Sequence, residues 1–263
     1  MNQPPFVKPC YEKKHETSHE VINVQSFQQG NVYCRYDNTE IDLFAPEMLN
    51  AKYWQAKNAI VGSAQGRGTT WFIETTHADN DTRNWVLRHY YRGGLIGKII
   101  NDQYIYSGLE NTRAAREFSL LKTMRELDLP VPKPIAYRVI KQGLIYRADL
   151  LSSRIENAND LVGILSKKNI DEKLWFAIGQ RIKTFHQHGI YHHDLNAHNI
   201  LIDDNNKVWL IDFDRGEQRT KRDKWPEDNM TRLLRSFRKE SLRISGFKWQ
   251  EENWQALMNG YQF

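Results

Sequence analysis

Short apolar runs alternate with polar, turn-forming stretches along most of this chain, and the length of each run separates strand from helix. Residues 199–202 and 208–211 are two such runs, joined by Asp203-Asp204-Asn205-Asn206-Lys207, a pattern that predicts a tight hairpin. The hairpin has a spatial consequence. The loop holding Asp194 and Asn199, before the first strand, comes next to Asp212 and Asp214, beyond the second. Residues 60–73 predict another hairpin, around a turn rich in glycine, and 85–90 read as the strand after it. Ala114, Phe118, Leu121, Met124 and Leu127 recur at helical spacing, so 112–127 is an amphipathic helix, with Glu117 on its apolar stripe. Pro130, Pro132 and Pro134 end that helix and start an extended segment. Asp171 is placed to cap a helix striped by Leu174, Ile178, Ile182 and Phe185, with Gly189 past its end.

The flanks carry less pattern. Residues 1–20 are polar with early prolines and predict a loose tail, 21–43 predict strands or an extra decoration, and 48–56 a short helix. Near the C-terminus, Met230, Leu233, Leu234, Phe237 and Leu242 make one helical face, while Arg232, Arg235, Arg238, Lys239 and Arg243 crowd the others. Such a helix suits an anionic membrane surface or a phosphorylated glycolipid; packing on the domain with its basic residues in solvent is the plain alternative.

Composition narrows the class. A chain of 263 residues makes one large domain or two lobes around a cleft, and 40% hydrophobic residues suffice for a core. Cys10 and Cys34 give neither a disulfide framework nor metal spacing, which suits a reducing compartment. With no signal-peptide pattern and no membrane-length apolar run, a cytosolic protein is expected, or one bound to a membrane from the cytosolic side. The net charge of +5 comes without an aromatic-basic platform or DNA-binding motif, so nucleic acid is not the expected partner, and no protein partner is evident.

Two carboxylates and an amide carbonyl converging at a strand end can hold a hard cation and orient an attacking hydroxyl, which phosphoryl transfer needs. The pattern His192-x-Asp194-x4-Asn199, then Asp212-Phe213, resembles the catalytic loop and magnesium motif of protein-kinase-like enzymes. The resemblance implies that Asp194 aligns or deprotonates the acceptor hydroxyl, that Asn199 and Asp212 hold Mg²⁺ and that His192 braces the loop. It implies a phosphate-covering turn through Gly62, Ser63, Gly66, Arg67 and Gly68, although the spacing is not Gly-x-Gly-x-x-Gly and a plain β-turn is the alternative. Arg88 falls where kinases carry a phosphate-pairing lysine, and Glu117 would be its partner. Against this stand an exposed strand arginine and a glutamate at the edge of its stripe. Lys98 is a second candidate phosphate ligand, and the adenine-contacting hinge is expected around 145–151.

The blocks Val61-Gly-Ser-Ala-x-Gly-Arg-Gly68, Leu87-Arg-His-Tyr-Tyr-Arg-Gly-Gly94, Val131-Pro-Lys-Pro-Ile135, Asp194-Leu-Asn-Ala-His-Asn-Ile-Leu201 and Asp212-Phe-Asp214 together resemble the bacterial 3-deoxy-D-manno-octulosonic acid (Kdo) kinase family, kin of the lipopolysaccharide core heptose kinases. That resemblance implies an α+β, bilobal protein-kinase-like fold: a flexible tail over 1–20, a β-rich N-terminal lobe over 21–147 with one regulatory-type helix, and a reduced, mainly helical lobe over 148–263. It also implies ATP-dependent phosphorylation of a Kdo hydroxyl on a lipid A precursor, in inner-core assembly at the cytoplasmic face of the inner membrane. Asp214, Arg232, Arg235 and Arg238 are then candidate substrate or membrane contacts. Departures from protein kinases argue for a non-protein acceptor: Asn196 stands in a lysine's place, His193 in an arginine's and Asp214 in a glycine's, and Trp225-Pro226-Glu227 follows Asp212 too soon. A heptose or protein acceptor, or an inactive scaffold, remains the alternative.

Overall fold

The computed structural model describes residues 21–66, 68–77, 80–91, 102–220 and 224–263, so the expected tail, Arg67 and Lys98 lie outside the described residues. Strands β1 (Val24–Gln29) and β2 (Val32–Asp37) form an antiparallel hairpin over Gly30, whose φ of +57° suits a residue without Cβ. A 3-10 turn (Pro46–Leu49) leads to α1 (Ala51–Ala56), capped by Asn50. The meander β3 (Ile60–Gln65), β4 (Thr69–Thr76) and β5 (Thr82–His89) follows, then β6 (Tyr104–Ile105). Helix α2 (Arg113–Glu126) starts at Thr112, whose hydroxyl accepts from the Ala115 N–H. Strands β7 (Pro134–Gln142) and β8 (Ile145–Ser153) complete an antiparallel sheet ordered β1-β2-β7-β8-β5-β4-β3, with β6 on β8.

The rest is mainly helical: β9 (Ala158–Asp160), α3 (Leu161–Leu165), α4 (Glu172–Gln187), β10 (Ile190–Tyr191), β11 (Ile200–Asp203), β12 (Val208–Leu210), β13 (Glu217–Gln218), α5 (Trp225–Arg243) and α6 (Glu251–Gln262). The fold is therefore a mixed α/β one, an antiparallel sheet with six α-helices among the described residues. Asp171 caps α4 by accepting from the Leu174 N–H, and Gly189 takes φ +74° beyond its end, both as expected.

Strand alternation, reset in β7 by a bulge between Pro134 and Ala136, divides the core. Ile135 and Leu151 face one way, onto Leu49, Trp54 and Trp85; Tyr137, Val139 and Leu150 face the other, onto Phe118, Leu121 and Met124 of α2. Burying each large side chain stabilises by about 1.5–3 kcal/mol, so this face holds α2 in a fixed place over the sheet. Helices α4 and α6 touch backbone to backbone: a Cβ on Gly179 would lie 1.9 Å from the Leu257 carbonyl oxygen, and one on Gly260 2.0 Å from that of Phe176. Alanine at either position must push the helices apart.

Two expectations are corrected and one is refined. Residues 145–151, where the hinge is expected, are the body of β8, paired with β7 on one side and with β6 and then β5 on the other, its inward-facing Asp149 neutralised by Arg138 and His89. The chain crosses at 154–157, after Arg154 N–H donates to the Asn84 carbonyl and before β9 joins β11. Leu174 packs on the core as expected but is only partly buried, and the fully buried start of the α4 stripe is Trp175 beside it. Leu242 is 91% exposed and leaves the apolar face of α5, which ends on Phe237.

Candidate active site

A cleft of about 580 Å³ separates the large sheet from the β9–β11–β12 sheet. Val86, Leu150, Leu201 and Ile211 make its apolar walls, and Gly66 and Gly68 of the β3–β4 turn form a rim. Tyr91 packs against that turn so closely that a Cβ on Gly68 would meet its ring at 2.0 Å; no side chain fits there. Gly62 and Ser63 sit in β3 and, among the described residues, do not line the cleft.

Arg88 reaches into the cleft from β5 and forks. One arm of its guanidinium donates to Glu117 on α2, the other to Asp212 after β12. Tyr90 OH donates to the same Glu117 oxygen at 2.7 Å. Burial pushes the Glu117 carboxyl up to about 7 against the pull of Arg88. Burial would also raise Asp212, but the charge and hydrogen bond of Arg88 hold it below the usual carboxylate range. Arg88 itself stays charged: its two carboxylates outweigh its desolvation.

The opposite wall is the loop between β10 and β11. His192 is buried, its Nε2 2.9 Å from the Ile211 carbonyl oxygen and its Nδ1 3.2 Å from the Asp194 amide nitrogen. Those partners assign the proton to Nε2: it donates to the carbonyl, and Nδ1 accepts from the amide. Burial holds this imidazole below its ordinary pKa, so it stays neutral. Phe213, fully buried, lies against the His192 ring at 4.7 Å, and Asp212 before it adopts φ +61°. The Asn199 amide donates to the Asp194 backbone carbonyl oxygen at 2.9 Å; Asp194 itself is exposed and, unlike Asn199, is not among the residues that line the cleft.

Two α5 residues that were not foreseen fix this loop. Asn229, fully buried, accepts from the His192 N–H at 3.2 Å and donates to the His192 carbonyl at 2.9 Å; Ser236 Oγ accepts from the Ala197 N–H at 3.0 Å. Asn229 stands four residues before Leu233 on the apolar stripe of α5, the same kind of signal that singled out Glu117.

The structure brings Arg88, Glu117, Asn199, Asp212 and Asp214 to one cleft. Asp214 is committed to Arg113, the first residue of α2, at 3.1 Å. Arg232 is half-buried, whereas Arg235 and Arg238 are exposed, the latter paired with Glu251 at 2.8 Å.

A strand cation held by a helix carboxylate, facing an asparagine and an aspartate across a cleft beside an exposed loop aspartate, defines a kinase-class phosphotransferase. Residues 51–261 match the lipopolysaccharide kinase (Kdo/WaaP) family. The chain is similar to 3-deoxy-D-manno-octulosonic acid kinases of Vibrio parahaemolyticus (47% identity over 234 residues, 89% of this chain and 95% of the relative), Vibrio vulnificus (43% over 242, 92% and 99%) and Haemophilus influenzae (44% over 243, 90% and 99%). The chain belongs to the lipopolysaccharide kinase (Kdo/WaaP) family.

Proposed function

We infer that this protein transfers the γ-phosphoryl group of ATP to a hydroxyl of the Kdo sugar on a lipid A precursor, a step of inner-core assembly. The forked Arg88, joining Glu117 to Asp212 in the cleft that Asn199 of the Asp194 loop also lines, is the observation that carries the reading. Relatives named Kdo kinases support the choice of acceptor.

The nucleotide's base enters between the apolar walls, near the 154–157 crossing, and its phosphates lie under Gly66 and Gly68 beside Arg88. Asp194 accepts the acceptor hydroxyl proton as the new O–P bond forms and the bond to the β-phosphate oxygen breaks, releasing ADP. The Asn199 amide nitrogen is spent on the Asp194 carbonyl, which leaves its oxygen for a cation, and Asp212 keeps one oxygen not engaged by Arg88. Two protein oxygens suit Mg²⁺, which retains water and phosphate ligands. When bound there, Mg²⁺ supplies neutralisation of charge on the transferred group.

On this reading the sheet and the helical part are the two lobes of a kinase-like fold, from residue 21 and to residue 263. We take their junction at 154–157, past the end of β8, in place of 147/148. No helix of the described residues is long and apolar enough to cross a membrane. The outer face of α5, with exposed Leu242 between Lys239 and Arg243 and Arg235 nearby, would rest on the anionic cytoplasmic face of the inner membrane.

Phosphate transfer from ATP to Kdo-bearing lipid A precursor, to heptose-bearing core and to a generic protein tests the acceptor. Labelling of the Kdo lipid alone is expected; labelling of heptose or protein instead would overturn the assignment.

A further inference from the structure

Two arginines flanking the Asp194 loop have no ion pair or hydrogen bond among the described residues. Arg215 belongs to the segment between Asp212 and β13, with φ +61°. In the β10–β13 ladder Gln218 stands opposite Ile190 and Glu217 opposite Tyr191, so the turn carrying Arg215, just before β13, lies beside the end of β10 that leads into His193 and Asp194. Arg232 comes from α5, three residues after Asn229, hence on the same side of the helix as the side chain that grips both backbone groups of His192. Of the neighbouring arginines, Arg219 is paired with Glu217, Arg238 with Glu251 and Arg243 with Glu240, while Arg235, without such a pair among the described residues, is exposed to solvent.

The field at this spot is positive. Burial, then the charges of Arg215 and Arg232, hold the His193 imidazole below its ordinary pKa, and the opposing carboxylates are Asp194 and Asp214. Asp214 is already neutralised by Arg113, so the guanidinium pair outweighs what faces it. Arg232 is half-buried and permanently charged, a state that calls for an anion.

We propose that Arg232 and Arg215 receive the carboxylate of the acceptor's sugar acid and thereby turn its hydroxyl towards Asp194. The inference rests on the acceptor assigned under the proposed function. Its chemistry fits: an octulosonic acid carries a carboxylate, a guanidinium fork matches that group's two oxygens, and a neutral sugar would leave both arginines unanswered. The arginines thus act as specificity determinants, distinct from the membrane-facing Arg235.

The test uses the full chain with three acceptors: the Kdo lipid A precursor, its Kdo methyl ester, and a precursor whose lipid phosphates have been removed. The parent should favour acid over ester by about ten- to a hundred-fold in kcat/KM, the range of one charged hydrogen bond. Arg232→Gln and Arg215→Gln should raise the acceptor KM by a similar factor and erase the preference, with the ATP KM and Tm unchanged; Arg232→Lys should restore part of it. Equal use of acid and ester by an active parent overturns the proposal while leaving the kinase assignment. A loss confined to the phosphate-free lipid overturns it too, assigning the arginines to lipid phosphates. No transfer to any arm removes the acceptor assignment, and this inference falls with it.

Discussion

Arg88 donates to Glu117 across the back of the cleft and so ties strand β5 to helix α2. Its other arm holds Asp212, so a single guanidinium sets the spacing between the sheet, the helix and the loop after β12. A lysine, with one compact ammonium, cannot span both carboxylates in this way.

Glu117→Ala leaves a largely buried guanidinium with one carboxylate and strands the Tyr90 hydroxyl. Breaking such a pair costs about 3–5 kcal/mol. Chemical denaturation should show a loss of that order, and calorimetry should show weaker ATP binding; a variant as stable as the parent contradicts the pairing. Arg88→Lys should be milder in stability yet still lose nucleotide affinity.

Asn229→Ala removes the clamp on both backbone groups of His192, leaving a buried donor and acceptor unmet at about 1–3 kcal/mol each. Stability should drop, and kcat should fall more than ATP affinity, because the damage is in the Asp194 loop. An unchanged kcat would show that the clamp does not position the loop.

The hairpin β11–β12 was legible from two apolar runs about a polar turn, and Glu117 from its place on an apolar stripe, but its pairing with Arg88 came from the resemblance to kinase-like folds, which names no partner for Asn229. Asn229 carried the stripe signal as well, but its partner lies 37 residues away, and no local pattern states that distance. The crossing was misplaced since residues 145–153 pair on both sides, and the polar Arg147 and Asp149 lie inside the strand, Asp149 buried against Arg138 and His89, rather than past its end. Gly62 and Ser63 were grouped with the cleft as part of one glycine-rich stretch resembling a phosphate loop, whereas among the described residues of that stretch it is Ala64, Gly66, Gly68, Thr69 and Thr70 that line it.

Acid should destabilise the fold through its buried histidines. Burial lowers the pKa of His186 to about 4 and also lowers that of His192. The unfolded chain then binds protons that the folded one refuses. Their contribution is whole above pH 6.5 and is lost as pH falls, towards about 4 for His186, worth up to about 3 kcal/mol for that residue. Denaturation at pH 7.5 and 5 should show the loss, and His186→Gln should flatten it. An equal slope in the variant would contradict the assignment.

Membrane contact through α5 makes an ionic-strength-dependent prediction. The Leu242→Glu and Arg235→Glu variants should bind anionic vesicles more weakly than the parent in a sedimentation assay, with soluble-acceptor turnover unaltered. Equal sedimentation of parent and variants would remove α5 as the contact.

The most direct measurement is phosphoryl transfer from labelled ATP, with Mg²⁺, to Kdo lipid A precursor by the parent and by Asp194→Asn. The variant should turn over about 10²-fold more slowly or worse, with ATP affinity retained, since it loses only the group that accepts the hydroxyl proton. Transfer at the parent rate by Asp194→Asn, with nucleotide bound normally, would contradict the placing of the chemistry at this loop.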